Sequence, residues 1–259
     1  MLARLVPLLP LLLAAACAAP PAPSGAGSTT GVAAHHYPIS TRSPEAQRLF
    51  DQGLAQYWSF DAQGALRAFT RAGELDAGCA MLQWAQALAV GPQGGEPTLD
   101  ATRTRTAHEA LANALSLAPA AAPLERELVA ALDARYDWPP PADRRPLDEA
   151  YARAMGALWA RYPRDAEVGT LYAEALLQRD GWEPFLPDGT PRTPELLAVL
   201  ERVLTLAPDH PGANHLALHV RGAAPGSAGA ERLGALLGGS PQVCRCALAA
   251  APAAAAARP

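Results

Sequence analysis

Four short closing phrases recur along the chain at nearly constant intervals, and they restrict its fold more than any other feature. Each ends an apolar run at helical spacing: Leu75-Asp76-Ala77, then SLAP ending at Pro119, RYP at Pro163 and TLAP at Pro208. The steps between Ala77, Pro119, Pro163 and Pro208 are 42, 44 and 45 residues. A period in that range means stacked copies of one supersecondary unit, none of which buries its apolar face alone. The unit is clearest at residues 49–76. There Leu49, Gly53 and Tyr57 recur at i, i+4, i+8, and Ala65, Phe69 and Ala72 recur at i, i+4, i+7. Both are stripes of a 3.6-residue period, so the stretch predicts two helices folded back about Ser59-Phe60-Asp61. Gly53 marks the close approach and Phe69 the ring that fills it. Half of the chain is hydrophobic but only 6% is aromatic, which favours close-packed helices rich in Ala and Leu over a β core.

Later units keep the pattern. Second helices read Ala107-x3-Leu111-x2-Ala114, Tyr151-x3-Met155-x2-Leu158 and Leu196-x3-Leu200-x2-Val203. Breaker-rich stretches at residues 91–97, 138–146 and 181–194 lie between first and second helices and lengthen the period. Ser43-Pro44-Glu45 and Thr193-Pro194-Glu195 are helix starts, each with a cap, a proline in the first turn and an acid. The expectation is four helical hairpins over residues 43–220, plus the first helix of a fifth at about 211–220. Trp182 and Phe185, bracketed by Pro184 and Pro187, are expected to fold back on the helices.

The Gly…Ala-x3-Phe-x2-Ala hairpin resembles a tetratricopeptide unit. A wider likeness runs through HHYPISTRSPEAQRLFDQGL, GCAMLQWAQALAVGP, TLYAEALL and LAPDHPGANHLALHV, over roughly residues 36–220. In this the chain resembles a family of bacterial tetratricopeptide-repeat proteins, which implies an all-α, tetratricopeptide-like α-solenoid of antiparallel helix pairs. The likeness brings no activity with it. The chain departs from the family at Phe60-Asp61-Ala62, where relatives have Phe-Asn-His, and at Trp84-Ala85, where they have Trp-Gly. Relatives also continue past the HPGANH helix, whereas residues 221–259 here form an Ala/Gly/Pro-rich tail that reads as a truncated or frame-shifted end.

Residues 1–17 read as an export signal, with Arg4 ahead of an apolar run too short to span a bilayer. Ala14-Ala15-Ala16-Cys17 resembles a bacterial lipoprotein box, which implies lipidation at Cys17. The protein is thus expected in the bacterial cell envelope, anchored in the outer membrane and facing the periplasm, the alternative being a secreted or periplasmic protein. Residues 18–42 read as a flexible tether, with His35-His36-Tyr37 at its end as solvated linker, the alternative being that the His pair binds metal. Cys79 is expected as a small core residue, and Cys244-Arg-Cys246 lacks zinc-site spacing. A net charge of −4 with no basic block excludes a nucleic-acid footprint. No G-x-S-x-G, Walker A or dinucleotide fingerprint is present, so no enzyme is predicted.

Two functions remain. In a tetratricopeptide solenoid the first helices line a concave groove, and register places Phe50, Leu54, Trp84, Leu88, Arg126, Thr170, Glu174, His215 and His219 there. The first reading is a membrane-tethered scaffold that binds a protein or peptide partner in that groove, without a cofactor. The alternative is a metal-binding, hydrolytic protein that holds a divalent ion such as zinc on His215, His219 and Glu174. The two histidines lie at i, i+4, on one helix face, and Glu174 lies one helix earlier in the same row. Asp209 and His210, at the start of the same helix, hold the ligands in place or substitute for them in that reading. The sequence offers no partner for the far side of the 211–220 helix. The expectation there is a half-exposed, loosely paired couple of imidazoles that binds metal weakly.

Overall fold

The computed structural model describes residues 35–232, apart from Pro97, Pro225, Ser227 and Ala230. The export signal, Cys17, most of the tether, Cys244 and Cys246 lie outside the described residues. The described residues belong to one compact unit and contain nine α-helices and no named strand. The first eight are α1 (Pro44–Trp58), α2 (Ala62–Leu75), α3 (Ala80–Ala89), α4 (Ala101–Leu117), α5 (Pro123–Asp133), α6 (Arg145–Arg161), α7 (Ala166–Arg179) and α8 (Pro194–Leu206), and α9 (Pro211–Ala223) follows. The chain is all-α.

Local chemistry sets the helix ends. Ser43, Asp61, Asp100 and Asp165 each accept a hydrogen bond from a backbone N–H of the first turn they precede. Prolines sit in the first turn of α1, α5, α6, α8 and α9, where no intrahelical N–H is needed. Each helix packs on the one that follows it. Connections at 76–79, 118–122, 162–165 and 207–210 are short, and those at 90–100, 134–144 and 180–193 are long. The breaker-rich stretches thus fall inside the pairs, as their position in the sequence predicts.

Helices of the two sets bury different amounts. α7 buries twelve of its fourteen residues and α3 eight of ten, whereas α4 and α6 bury five of seventeen each. The other helices bury intermediate shares, but contacts between helices that are not sequential neighbours join α1, α3, α5, α7 and α9, so the odd-numbered helices form an inner layer with the even-numbered ones outside it. Inside the first pair, Gly53 lies against the Phe69 ring so closely that a Cβ would overlap it. Only glycine fits there.

The inner layer also closes on itself. Besides α3 on α1 and α5 on α3, α9 packs back on both α7 and α1. Gly212 in the first turn of α9 sits on the Trp58 indole with no room for a Cβ. This corrects the expectation that the far side of α9 lacks a partner: α1 is that partner.

The closure also corrects the groove. Phe50, Leu54, Trp84, Leu88, Thr170, Glu174 and His215 are all buried, and only Arg126 is exposed and His219 half-buried. The predicted register is inward, but inward here means core. Residues 35–42 differ from a solvated tether as well. They run extended over α1 with alternating exposure, and Tyr37 and Ile39 pack against the core. Gln47 donates to the Tyr37 carbonyl (2.8 Å) and accepts from the Ile39 N–H (3.0 Å), so its side chain holds the segment as a neighbouring strand would. Trp182 and Phe185 fold back as expected, and Cys79 is buried.

Candidate metal centre

The centre forms around Glu167, in the first turn of α7. One carboxylate oxygen, Oε1, accepts from the Trp58 indole N–H at 2.9 Å. The other, Oε2, meets His35 Nε2 at 2.8 Å and His210 Nε2 at 2.9 Å. Each donor comes from a different element: His35 from the extended segment, Trp58 from the end of α1, and His210 from the N-cap of α9. His210 holds its place by capping, since its Nδ1 accepts the Ala213 N–H at 3.2 Å. Asn214, one turn into α9, donates to the carbonyls of Pro208 and His210, both at 2.8 Å, and fixes the bend before the helix.

Burial by itself raises the Glu167 carboxyl, but the charge and hydrogen bonds of His210 and His35 outweigh it and hold the group at about 2. Burial lowers the His35 imidazole, and the hydrogen bond and charge of Glu167 more than reverse this, so its pKa is raised. A buried carboxylate that stays ionised beside two imidazoles is a donor set with nitrogen and oxygen in ligating distance. The ligand atoms of His35, Glu167 and His210 all lie within 4.8 Å of one another, and no other such group of three occurs among the described residues. The centre opens on a cavity of about 470 Å³ lined by His36, Tyr37, Arg164, Asp165 and Asp209. The Tyr37 hydroxyl donates to Asp165 at 3.3 Å across one wall. Burial, with the charges of Asp165 and Glu167, pushes that phenol far above its ordinary value, so it remains a donor.

Glu174 does not join His215 and His219. It accepts from the Tyr57 hydroxyl at 2.7 Å and lies 3.7 Å from the guanidinium of the fully buried Arg135. Burial raises its carboxyl despite the opposing effects of Arg135 and Tyr57. The predicted three-ligand set is thereby split. The two histidines do come together, with Nε2 atoms 3.0 Å apart, but more firmly than expected. His215 is buried, and its Nδ1–H donates to the Trp58 carbonyl. Thr170 bonds back to the Ala166 carbonyl at 2.7 Å, and Arg126 to the Ala121 carbonyl at 3.1 Å; neither faces a groove.

Sequence reasoning gave Glu167 no role, because an acid in the first turn of a helix is ordinary. His35 reads as linker in preference to a metal-binding pair with His36, and His210 as a supporting or substitute ligand of the His215 set, so neither points to Glu167. The three are separated by 132 and 43 residues, so no local spacing links them. The one available signal is that His210 stands at the cap of a proline-opened helix, whereas the composition around His35 reads as linker. No protein-family model matches the chain, and no curated protein matches it.

Proposed function

We propose that this is a metal-binding helical-repeat protein whose centre is His35, Glu167 and His210. The observation that carries the reading is the convergence of those three donors from three separate elements within 4.8 Å. Two imidazoles and one carboxylate suit zinc and neighbouring divalent ions, and a three-ligand protein set leaves at least one position for water or a small ligand. The adjacent cavity supplies the room for it. Trp58, on the far carboxylate oxygen, orients Glu167 as an outer partner orients a ligand.

The scaffold in this proposal is a tetratricopeptide-like solenoid. Its support is the succession of helix pairs joined by short links, the contacts among alternate helices and the seat of Gly53 on Phe69. The envelope location and the lipid at Cys17 belong to the same proposal and rest on the lipoprotein-like box alone. They are tested by Cys17→Ser, which should move the protein from the membrane pellet to the soluble fraction. Most of the row assigned to a peptide groove is core, so no peptide-binding role is drawn from it.

Zinc titration followed by calorimetry tests the centre. One equivalent should bind, and Glu167→Gln should weaken binding at least tenfold while far-ultraviolet circular dichroism remains helical. Zinc binding of the same strength in Glu167→Gln would overturn the reading.

A further inference from the structure

A second cluster of nitrogen donors meets the carbonyl of Trp58, the residue whose indole N–H goes to Glu167. Its core is the His215–His219 couple on successive turns of α9, with Nε2 atoms 3.0 Å apart. The rings are nearly parallel, 26° apart with centroids separated by 4.8 Å. The tautomer of His215 is fixed. A carbonyl oxygen only accepts, so the bond to the Trp58 carbonyl places the proton on Nδ1 and leaves a lone pair on Nε2. In the metal-free protein His219 Nε2–H donates into that lone pair, and moving this proton to Nδ1 of the same ring frees a second lone pair.

Two further aromatic rings hold the couple. Phe60 lies 4.3 Å from the His215 ring and stacks on His219 at 5.6 Å and 23°. Trp182 meets His219 edge-on at 5.4 Å and Phe60 at 5.5 Å. Phe60 and Trp182 are the two non-glycine residues with positive φ among the described residues, at 61° and 60°. Bulky residues reach that left-handed region only against steric resistance, and such outliers collect where the surroundings impose a particular geometry. Here both outliers press on the same two imidazoles. Burial lowers the pKa of His215 against the effect of its Trp58 bond, and burial together with His215 lowers that of His219.

Metal–nitrogen bonds of about 2.0–2.1 Å at right-angled to tetrahedral geometry place two nitrogens about 2.9–3.4 Å apart. The 3.0 Å separation falls in that range and is too short for the two nitrogens of a linear site. We propose that His215 and His219 form a second, independent metal site that takes copper(II) as two adjacent imidazole ligands. Imidazole donors without a carboxylate favour the late first-row ions, among which copper(II) binds most tightly, and adjacent ligands suit its tetragonal geometry. Water or an external ligand completes the coordination on the side of the half-buried His219.

The test is copper(II) chloride titration of the full chain, read by tryptophan fluorescence and by electron paramagnetic resonance. The expected result is one equivalent, besides any held at the Glu167 centre, that quenches fluorescence through Trp182 and shows coupling to two nitrogens. His219→Ala, a change at a half-buried position, should weaken this binding at least tenfold and remove its two-nitrogen signal, leaving any copper at the Glu167 centre in place. Glu167→Gln should leave this binding and its signal in place, so failure of this site and failure of the Glu167 centre are separately visible. Unchanged copper affinity and quenching in His219→Ala would overturn the proposal, as would a two-nitrogen signal that disappears only with Glu167.

Discussion

At the residue scale, Trp58 and Arg135 do most to hold the inner layer together, and neither stands out in the sequence. Trp58 gives its indole N–H to Glu167, its carbonyl to His215 and its ring face to Gly212, so one residue joins α1, α7 and α9. The sequence places it one position past the Leu49, Gly53, Tyr57 stripe, where periodicity leaves it unassigned. Arg135 is fully buried at the end of α5, donating to the Pro92 carbonyl at 2.9 Å and facing Glu174 at 3.7 Å. A guanidinium inside the core is invisible to pattern reading, which sends arginines to the surface. Removing its counter-charge leaves a buried cation unpaired, which costs about 3–5 kcal/mol. Glu174→Ala should therefore lower the urea midpoint far more than Glu109→Ala on the exposed face of α4. Equal midpoints for the two variants would show that Arg135 does not depend on Glu174.

At the scale of elements, helices were far more legible than their faces. Caps, first-turn prolines and 3.6-residue spacing located all nine, because those signals are local. Which inner residues face a groove and which face core depends on whether α9 returns to α1, and that depends on Gly212 fitting under Trp58. Composition misled at residues 35–42 for a related reason. The backbone there finds its hydrogen-bond partners on side chains of α1, chiefly Gln47 and Asp51, rather than in secondary structure. Asp51 accepts from the Tyr37 N–H at 3.2 Å, from Gln47 at 2.9 Å and from His36 at 2.7 Å. Asp51→Ala should loosen the segment and speed hydrogen exchange at the Tyr37 and Ile39 amides, with α2 unaffected. Exchange as slow as in the parent protein would mean that Tyr37 and Ile39 hold the segment by apolar contact alone.

On the scale of the whole molecule, Glu167 links the N-terminal segment to both ends of the inner layer, and its ionisation should appear in global stability. Its carboxyl falls from an ordinary 4.5 to about 2 on folding, so it contributes stability above pH 4.5 that is lost as the pH falls towards 2. His35 works in the opposite direction. Its pKa is raised above 6.5 on folding, so its contribution is complete below that pH and is lost as the pH climbs through the raised value. The metal-free protein should accordingly show its highest melting temperature between about pH 4.5 and 6.5, with a fall on either side. Glu167→Gln should flatten both slopes, and a profile of unchanged shape in that variant would place the pH dependence elsewhere.

The three donors of the centre meet only through that global arrangement, which is why the sequence revealed the helices and not the site. Anomalous diffraction at the zinc edge, from crystals of the zinc-loaded protein, tests the centre most directly. One peak is predicted among His35 Nε2, His210 Nε2 and the Glu167 carboxylate, about 2.0–2.2 Å from each. The contradicting result is no peak there, with both imidazoles hydrogen-bonded to Glu167 at about the 2.8 and 2.9 Å separations described above.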